Sequence, residues 1–383
     1  MRVGVYTDYS YSYDGESYYS ERAFFTFITR LAGMVDRVVL FGRLNPQGGR
    51  SHYRVPDEID FVPLPYYESQ ADARAAVRAM AFSLRAYWRN LAEVDVVWLL
   101  GPHPLAIVFA ALAALRRKRV VLGVRQDMPV YTRSRHPGKR WMMAAAYVLE
   151  WTFRLMSRVF PVVVVGPQLA ANYRGARRLL TLSVSLVGED EIVDPHDAAQ
   201  RVWNGGELRV LTVSRLETEK NPLLLADVLA RLREHDPRFR LLVCGEGPME
   251  GELRERLEEL GVADHADLLG YVPITNGLLD VYRSSHAFLH VSWTEGLPQT
   301  LFEAFAAGLP VVATAVGGVP DAVGQAALLV EPGDAAAPAE QLKRLADDPA
   351  LRGHLIESGV ERVRSHTLEA ESRRVVEFLR DGS

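Results

Sequence analysis

The stretch that decides the fold is Ser292-Trp293-Thr294-Glu295-Gly296-Leu297-Pro298-Gln299-Thr300-Leu301-Phe302-Glu303-Ala304-Phe305-Ala306-Ala307-Gly308-Leu309-Pro310-Val311-Val312-Ala313-Thr314, continuing to Gly317-Gly318-Val319-Pro320-Asp321. The apolar run before it, His286 to Val291, has the make-up of a buried strand. Gly296 and Pro298 then break the strand just before a helical stretch over Gln299 to Ala307. Pro298 suits the first helical turn, where its missing N–H leaves nothing unpaired. Strand, tight loop, helix, strand and loop in this order make an α/β unit.

The first helical turn exposes amides that lack partners and sits at the positive end of the macrodipole, which makes it an anion site. Glu295 and Glu303 flank it, and two carboxylates would repel a bare phosphate. The combination makes sense for a ligand that carries hydroxyls beside its phosphates. A sugar nucleotide does so, with its pyrophosphate on the helix start, one carboxylate accepting from the sugar hydroxyls and the other from those of the ribose.

The order Glu-Gly-Leu-Pro, four residues, Glu-Ala, then Ala-Gly-Leu-Pro-Val-Val-Ala-Thr and Gly-Gly-Val-Pro-Asp resembles the signature of the retaining glycosyltransferases of family 4, which have the GT-B fold. The resemblance implies two doubly wound, Rossmann-like parallel-sheet α/β domains facing across a cleft, with donor in the second and acceptor in the first. It implies a donor loop of Gly296, Leu297, Pro298, Gln299, Thr300 and Leu301 with Glu303. It covers residues 208–335 strongly and the first half by pattern only.

Composition agrees with a two-domain globular protein: 383 residues, 48% apolar and 24% charged. The single Cys244 excludes an internal disulfide framework and a multi-cysteine metal site, and lies in an apolar strand as a buried thiol. Met1-Arg2 is followed by a short strand-like run and then Asp8, Asp14 and Glu16, so no signal peptide is expected. A cytoplasmic enzyme is expected, with the inner face of the membrane as a peripheral alternative. The net charge of −4 hides an asymmetry: residues 1–190 carry 25 Lys and Arg against 16 Asp and Glu, the remainder 19 against 32. No nucleic-acid partner is expected.

Residues 1–186 alternate short apolar runs with helical patterns and read as the acceptor domain, with strands near Arg2–Tyr6, Arg37–Phe41, Asp95–Leu100, Arg119–Val124, Val162–Val165 and Leu180–Leu186. Ligands in such sheets bind beyond the carboxyl ends of strands, so the loops there hold the acceptor-side candidates. The first runs from Asp8 to Tyr19 and carries five tyrosines, with Tyr13 and Gly15 singled out before a helix over Glu21–Leu31. The second holds His103 between Pro102 and Pro104. The third is Arg125-Gln126-Asp127, where many relatives place a histidine that reaches the donor sugar; Arg125 or Asp127 stands in its place.

Arg133, Arg135, His136, Lys139 and Arg140 precede an aromatic and Met-rich helix from Trp141 to Met156. That pattern fits an anionic membrane interface, and equally a helix packed into the core with its cations used to capture an anionic acceptor. Residues 187–207 lose apolar periodicity and read as the linker. The donor domain spans 208–365, and 366–383 resembles the terminal helix that crosses back to the first domain.

In the donor domain, Arg215 and Lys220 follow the strand Leu208–Ser214 and are placed to converge on one anion; by resemblance they hold the donor diphosphate. Gly245 follows the next strand. Tyr271 and Val272 take the nucleotide base by resemblance alone. The reaction expected is metal-independent, cofactor-free transfer from a nucleoside diphosphate sugar of the UDP or GDP type to a hydroxyl of a glycan, a lipid-linked sugar or a small molecule. Arg215, Lys220 and Glu295 are the catalytic candidates, and losing either cation should lower turnover more than stability. An epimerase of the same fold, a phosphorylase and a non-catalytic nucleotide-sugar binder are the alternatives.

Overall fold

A computed structural model of the chain describes residues 1–66, 73–135, 138–183 and 185–381. The chain divides into two compact units, one of residues Met1–Leu182 with Glu369–Ser383, the other of Ser183–Leu368. His136 of the basic cluster lies outside the described residues.

The strands of the first unit are β1 (Arg2–Tyr13), β2 (Tyr18–Ser20), β3 (Arg37–Leu44), β4 (Tyr53–Arg54), β5 (Ile59–Pro65), β6 (Val96–Gly101), β7 (Arg119–Val124), β8 (Val162–Val165) and β9 (Leu179–Leu182). Parallel pairing gives the order β5-β3-β1-β6-β7-β8-β9. Strand order therefore reverses between β1 and β6, the switch point where an open α/β sheet leaves a crevice.

The first strand differs from its expected length. It runs on to Tyr13, turns through Asp14–Ser17 and returns antiparallel as β2, which β4 then extends. The expected tyrosine-rich loop is thus mostly a hairpin. Its Tyr-Ser-Tyr-Ser-Tyr alternation is a strand period, and Asp14-Gly15 supplies the turn, Gly15 at φ 103°. The helix that follows is Phe25–Ala32.

The second unit holds β10 (Leu208–Val213), β11 (Phe239–Cys244), β12 (Ala266–Gly270), β13 (Ala287–His290), β14 (Val311–Thr314) and β15 (Ala327–Val330), in the order β12-β11-β10-β13-β14-β15. All pairs are parallel. This is the doubly wound 3-2-1-4-5-6 order, with its switch point between β10 and β13.

Alternation along these strands feeds two cores. Leu208, Val210, Leu241, Val243 and Leu289 pack on one face, while Leu211, Leu242, Cys244, Phe288 and Val311 pack on the other. Helices cover both faces, so the central strands read as unbroken apolar runs, while the exposed strand positions, Leu269 and Leu329, lie on the edge strands β12 and β15. Burial pushes the Cys244 thiol up to about 11, in keeping with an inert sulfur. Residues 187–207, expected as a bare linker, contain the short helix Pro195–Ala199 and dock on the second unit through Arg201, whose guanidinium donates to the carbonyls of Ala307 and Gly308.

Candidate active site

Two loops meet at the switch point of the second unit. After β10 the chain passes through Ser214 and Arg215 into a single tight turn, Thr218–Lys220, closed by Asn221 in the left-handed region at φ 52°. After β13 it runs from Val291 to Pro298. The backbone N–H of Trp293 donates to the carbonyl of Glu219 at 2.9 Å and stitches the loops together. A third loop, after β14, packs on the second: a Cβ at Gly317 or Gly318 would lie 1.9 Å from the carbonyl oxygens of Glu295 and Gly296 respectively. The Gly-Gly pair is what allows this approach.

Glu295 is the centre of the cluster. Its Oε1 accepts from Lys220 Nζ at 2.5 Å, Ser292 Oγ at 2.7 Å and His290 Nε2 at 2.9 Å. A carboxylate only accepts, so Nε2 carries the imidazole proton. Burial works to raise the Glu295 pKa, but the His290 hydrogen bond and the Lys220 charge outweigh it and bring it down to about 2. The carboxylate is therefore ionised at neutral pH. His290 and Ser292 were not among the sequence candidates. The signal available was that both lie within five residues of Glu295, at the carboxyl end of a central strand.

Arg215 is exposed and pairs with Glu217 and, at 3.2 Å, with Glu219. Burial works to raise Glu219, yet the charges of Arg215 and Lys220 help to hold it below its ordinary value. Two cations and three carboxylates thus interleave at this crevice.

The helix after the loop is Gln299–Ala306, and Pro298 is its N-cap rather than its first residue, with φ −74° and ψ 113°. Gly296 is exposed and leaves open space beside it, whereas Leu297 packs partly and Leu301 wholly into the core. Leu301 anchors the helix start, and its side chain offers nothing to a ligand. Gln299 and Thr300 are half-buried at the helix start.

Glu303 is only 5% exposed and accepts from Tyr282 Oη at 2.8 Å. Burial raises its pKa to about 7, the Tyr282 hydrogen bond offsetting part of that and Glu191 adding to it. The two glutamates of the motif therefore sit in opposite electrostatic settings, eight positions apart.

Gly245, at φ 143°, passes so close to Ser214 that a Cβ would lie 1.8 Å from its carbonyl oxygen. Tyr271 is 41% exposed, and its backbone N–H donates to Glu246 at 3.1 Å; Val272 is half-buried against the core.

At the switch point of the first unit, the β1–β3 register slips between Tyr6 and Ser10. This bulge re-aims Asp8 and Tyr9, which the sequence reading did not single out. Arg125, after β7, donates to Asp8 and to Tyr9 Oη, and its guanidinium lies 4.6 Å from the centre of the Tyr9 ring. Burial works against the Asp8 charge, but the Arg125 guanidinium helps to hold it below the ordinary carboxylate range.

His103 caps the helix Pro104–Leu115. Its Nδ1 accepts from the Leu105 N–H at 3.2 Å and lies 2.8 Å from Tyr6 Oη, so Nδ1 is bare and the ring neutral, with burial lowering the pKa to about 4. Arg125 and His103 are thus brought to one place.

The other acceptor-side candidates are not. Tyr13 Oη donates to the Gly15 carbonyl at the hairpin tip, where Asp14 accepts from the N–H groups of Glu16 and Ser17 and pairs with Arg50. Asp127 caps the helix Met128–Arg135 through the Val130 N–H and accepts from Asn172 at 3.1 Å. A short polar side chain ahead of a helix is a cap first.

Among the described residues, the grouping with metal-ligand spacing is Asp194, His196 and Asp197, all exposed, with Asp194 already serving as a helix N-cap.

Residues 194–362 match the family described as Glycosyl transferases group 1. A 2-deoxystreptamine glucosyltransferase of Streptomyces kanamyceticus is 28% identical over 72% of this chain and 73% of its own. A phosphatidylinositol N-acetylglucosaminyltransferase gpi3 subunit of Schizosaccharomyces pombe is 32% identical over 38% of this chain, a match that spans only 30% of that protein. Among solved structures, Anabaena Alr3699/HepE in complex with UDP superimposes with a TM-score of 0.70 at 16% identity, covering 99% of each chain. The architecture is the expected pair of parallel-sheet, Rossmann-like domains of the GT-B kind.

Proposed function

We propose that this chain, whose residues 194–362 form a group 1 glycosyl transferase domain, moves a glycosyl unit from a nucleoside diphosphate sugar to an acceptor hydroxyl with retention at the anomeric carbon. The observation that carries this reading is the interleaved cluster at the second switch point. Arg215 and Lys220 alternate there with Glu217, Glu219 and Glu295. Such a site, one negative charge in excess, does not attract a bare diphosphate. It suits a ligand that offers phosphate oxygens to the cations and hydroxyls to the carboxylates. The UDP complex of Alr3699/HepE supports the choice of a nucleotide.

In the proposed reaction the bond from the anomeric carbon to the diphosphate oxygen breaks, and the bond to the acceptor oxygen forms on the same face. The acceptor proton passes to the departing diphosphate. Negative charge grows on that leaving group, so Lys220, Arg215 and the amides at the start of the helix Gln299–Ala306 supply the stabilisation. Each well-aimed donor is worth ~3 kcal/mol of barrier. Glu295, fixed by three donors through Oε1, directs Oε2 to the sugar hydroxyls; Glu303 takes the ribose. No metal is required in this scheme.

A thermal-shift panel of UDP- and GDP-sugars, followed by turnover with candidate acceptors in chelator, tests the reading. A ligand at 100 times its dissociation constant raises stability by about 2.7 kcal/mol. Product carrying an inverted anomeric centre, or activity lost in chelator and restored by magnesium or manganese, refutes the corresponding part. Donor converted to an epimer without acceptor transfers the assignment to an isomerase.

A further inference from the structure

The helix Arg140–Met156 of the first unit buries Ala146, Glu150 and Phe153 and turns a different face to water. Trp141 and Trp151 are each 65% exposed, Val148 64% and Leu155 46%. Spacings of seven, ten and fourteen residues from Trp141 place all four on one stripe. A solvated helix gains nothing from two exposed tryptophans, and core packing, the alternative use of this aromatic pattern, is not where these side chains go.

Cations border the stripe. Lys139, Arg140 and Arg158 are exposed beside it. The one carboxylate on the helix, Glu150, is buried and accepts from Arg154 Nε at 3.0 Å, so it presents no negative charge to the outside. The first half of the chain is cationic on balance, with 25 Lys and Arg against 16 Asp and Glu in residues 1–190. Tryptophans on the apolar side with arginine and lysine along the margin are the chemistry of a helix lying in the headgroup region of an anionic bilayer. Among the described residues no helix is long and apolar enough to cross a membrane.

We infer that the Trp141–Trp151 face docks the protein peripherally on membranes rich in anionic lipid. The inference is independent of the transfer reaction proposed above, and its test uses no sugar.

The full chain is sedimented with vesicles of phosphatidylcholine alone and of phosphatidylcholine mixed with phosphatidylglycerol, beside a Trp141→Ser/Trp151→Ser variant. Wild type should bind the anionic vesicles, lose binding in high salt, and shift its tryptophan emission to the blue. The variant should bind about tenfold more weakly with an unchanged melting temperature, since the replaced rings are exposed. An Arg140→Glu/Arg158→Glu variant should lose anionic binding while keeping both tryptophans. The inference is overturned if wild type ignores anionic vesicles or if the tryptophan variant binds as wild type does. It is equally overturned if the same substitutions dissolve a dimer in a protein that never binds vesicles, which would make the face a self-association surface.

Discussion

Lys220 Nζ and Glu295 Oε1 lie 2.5 Å apart across 75 positions of sequence, joining the loops that follow the two strands at the centre of the second sheet. The pair is nearly enclosed, with side chains 17% and 8% exposed. Lys220→Ala would leave Glu295 ionised, buried and held only by His290 and Ser292. It should cost ~3 kcal/mol of stability, and Lys220→Ala/Glu295→Gln should recover part of that loss. Chemical denaturation of Lys220→Ala, Glu295→Gln and the double variant decides: additive losses would show that the two side chains do not cooperate.

The two motif glutamates should tilt stability with pH in opposite directions. Glu295 has its pKa lowered from 4.5 to about 2, so its contribution is present above 4.5 and lost as pH falls through 2. Glu303 is raised from 4.5 to about 7, so its contribution is full below 4.5 and lost as pH rises through 7. Each amounts to roughly 3 kcal/mol at its extreme. Melting curves across this range should show that Glu303→Gln flattens the upper limb and leaves the acid limb in place. Parallel profiles for variant and wild type would disprove the raised pKa.

Gly318→Ala tests the contact between loops. The new methyl would meet the Gly296 carbonyl and push the donor loop outward, lowering nucleotide affinity about tenfold or more. Gly353→Ala is the control: it faces open space within the helix Pro349–Arg364 and should raise stability by about 0.5 kcal/mol without touching affinity. Calorimetric titration with UDP or GDP separates them, and equal affinities would remove the loop contact from the account of binding.

Arg125 holds Asp8 and Tyr9 with separate amino groups of one planar fork. Lysine keeps the charge and loses the geometry. Arg125→Lys should therefore raise KM for the acceptor several-fold while donor affinity stays at the wild-type value. A change in donor affinity of the same size would move Arg125 out of the acceptor side.

The sheets were legible in the sequence because every central strand is apolar on both faces and punctuated by glycine or proline. That Arg215, Lys220 and Glu295 lie in the loops after the two central strands of the second sheet was legible by their spacing. Their partners were not, since His290 and Ser292 matter only through where the end of β13 points. The β1 hairpin was open to reading: strict alternation from Tyr9 to Tyr13 ahead of Asp14-Gly15 is a strand and a turn, and it was passed over because tyrosine and serine also crowd loops. Asp8 and Tyr9 depend on a register slip that leaves no trace in composition. Asp127, expected on the acceptor side, caps a helix instead of reaching Asp8 and Tyr9 as Arg125 does.

The helix Leu368–Arg380 belongs with residues 1–182, although the whole second unit separates them in sequence. Arg374 donates to the Thr181 carbonyl, Arg119 to that of Arg380, and Arg178 lies over the Phe378 ring. A ribosome releases Ser183–Leu368 as one continuous block, but it delivers the last helix of the first unit only after that block is finished. The half of the protein that is made first is therefore the half that is completed last, and its nascent form must wait, with one side uncovered, for the time it takes to translate its neighbour.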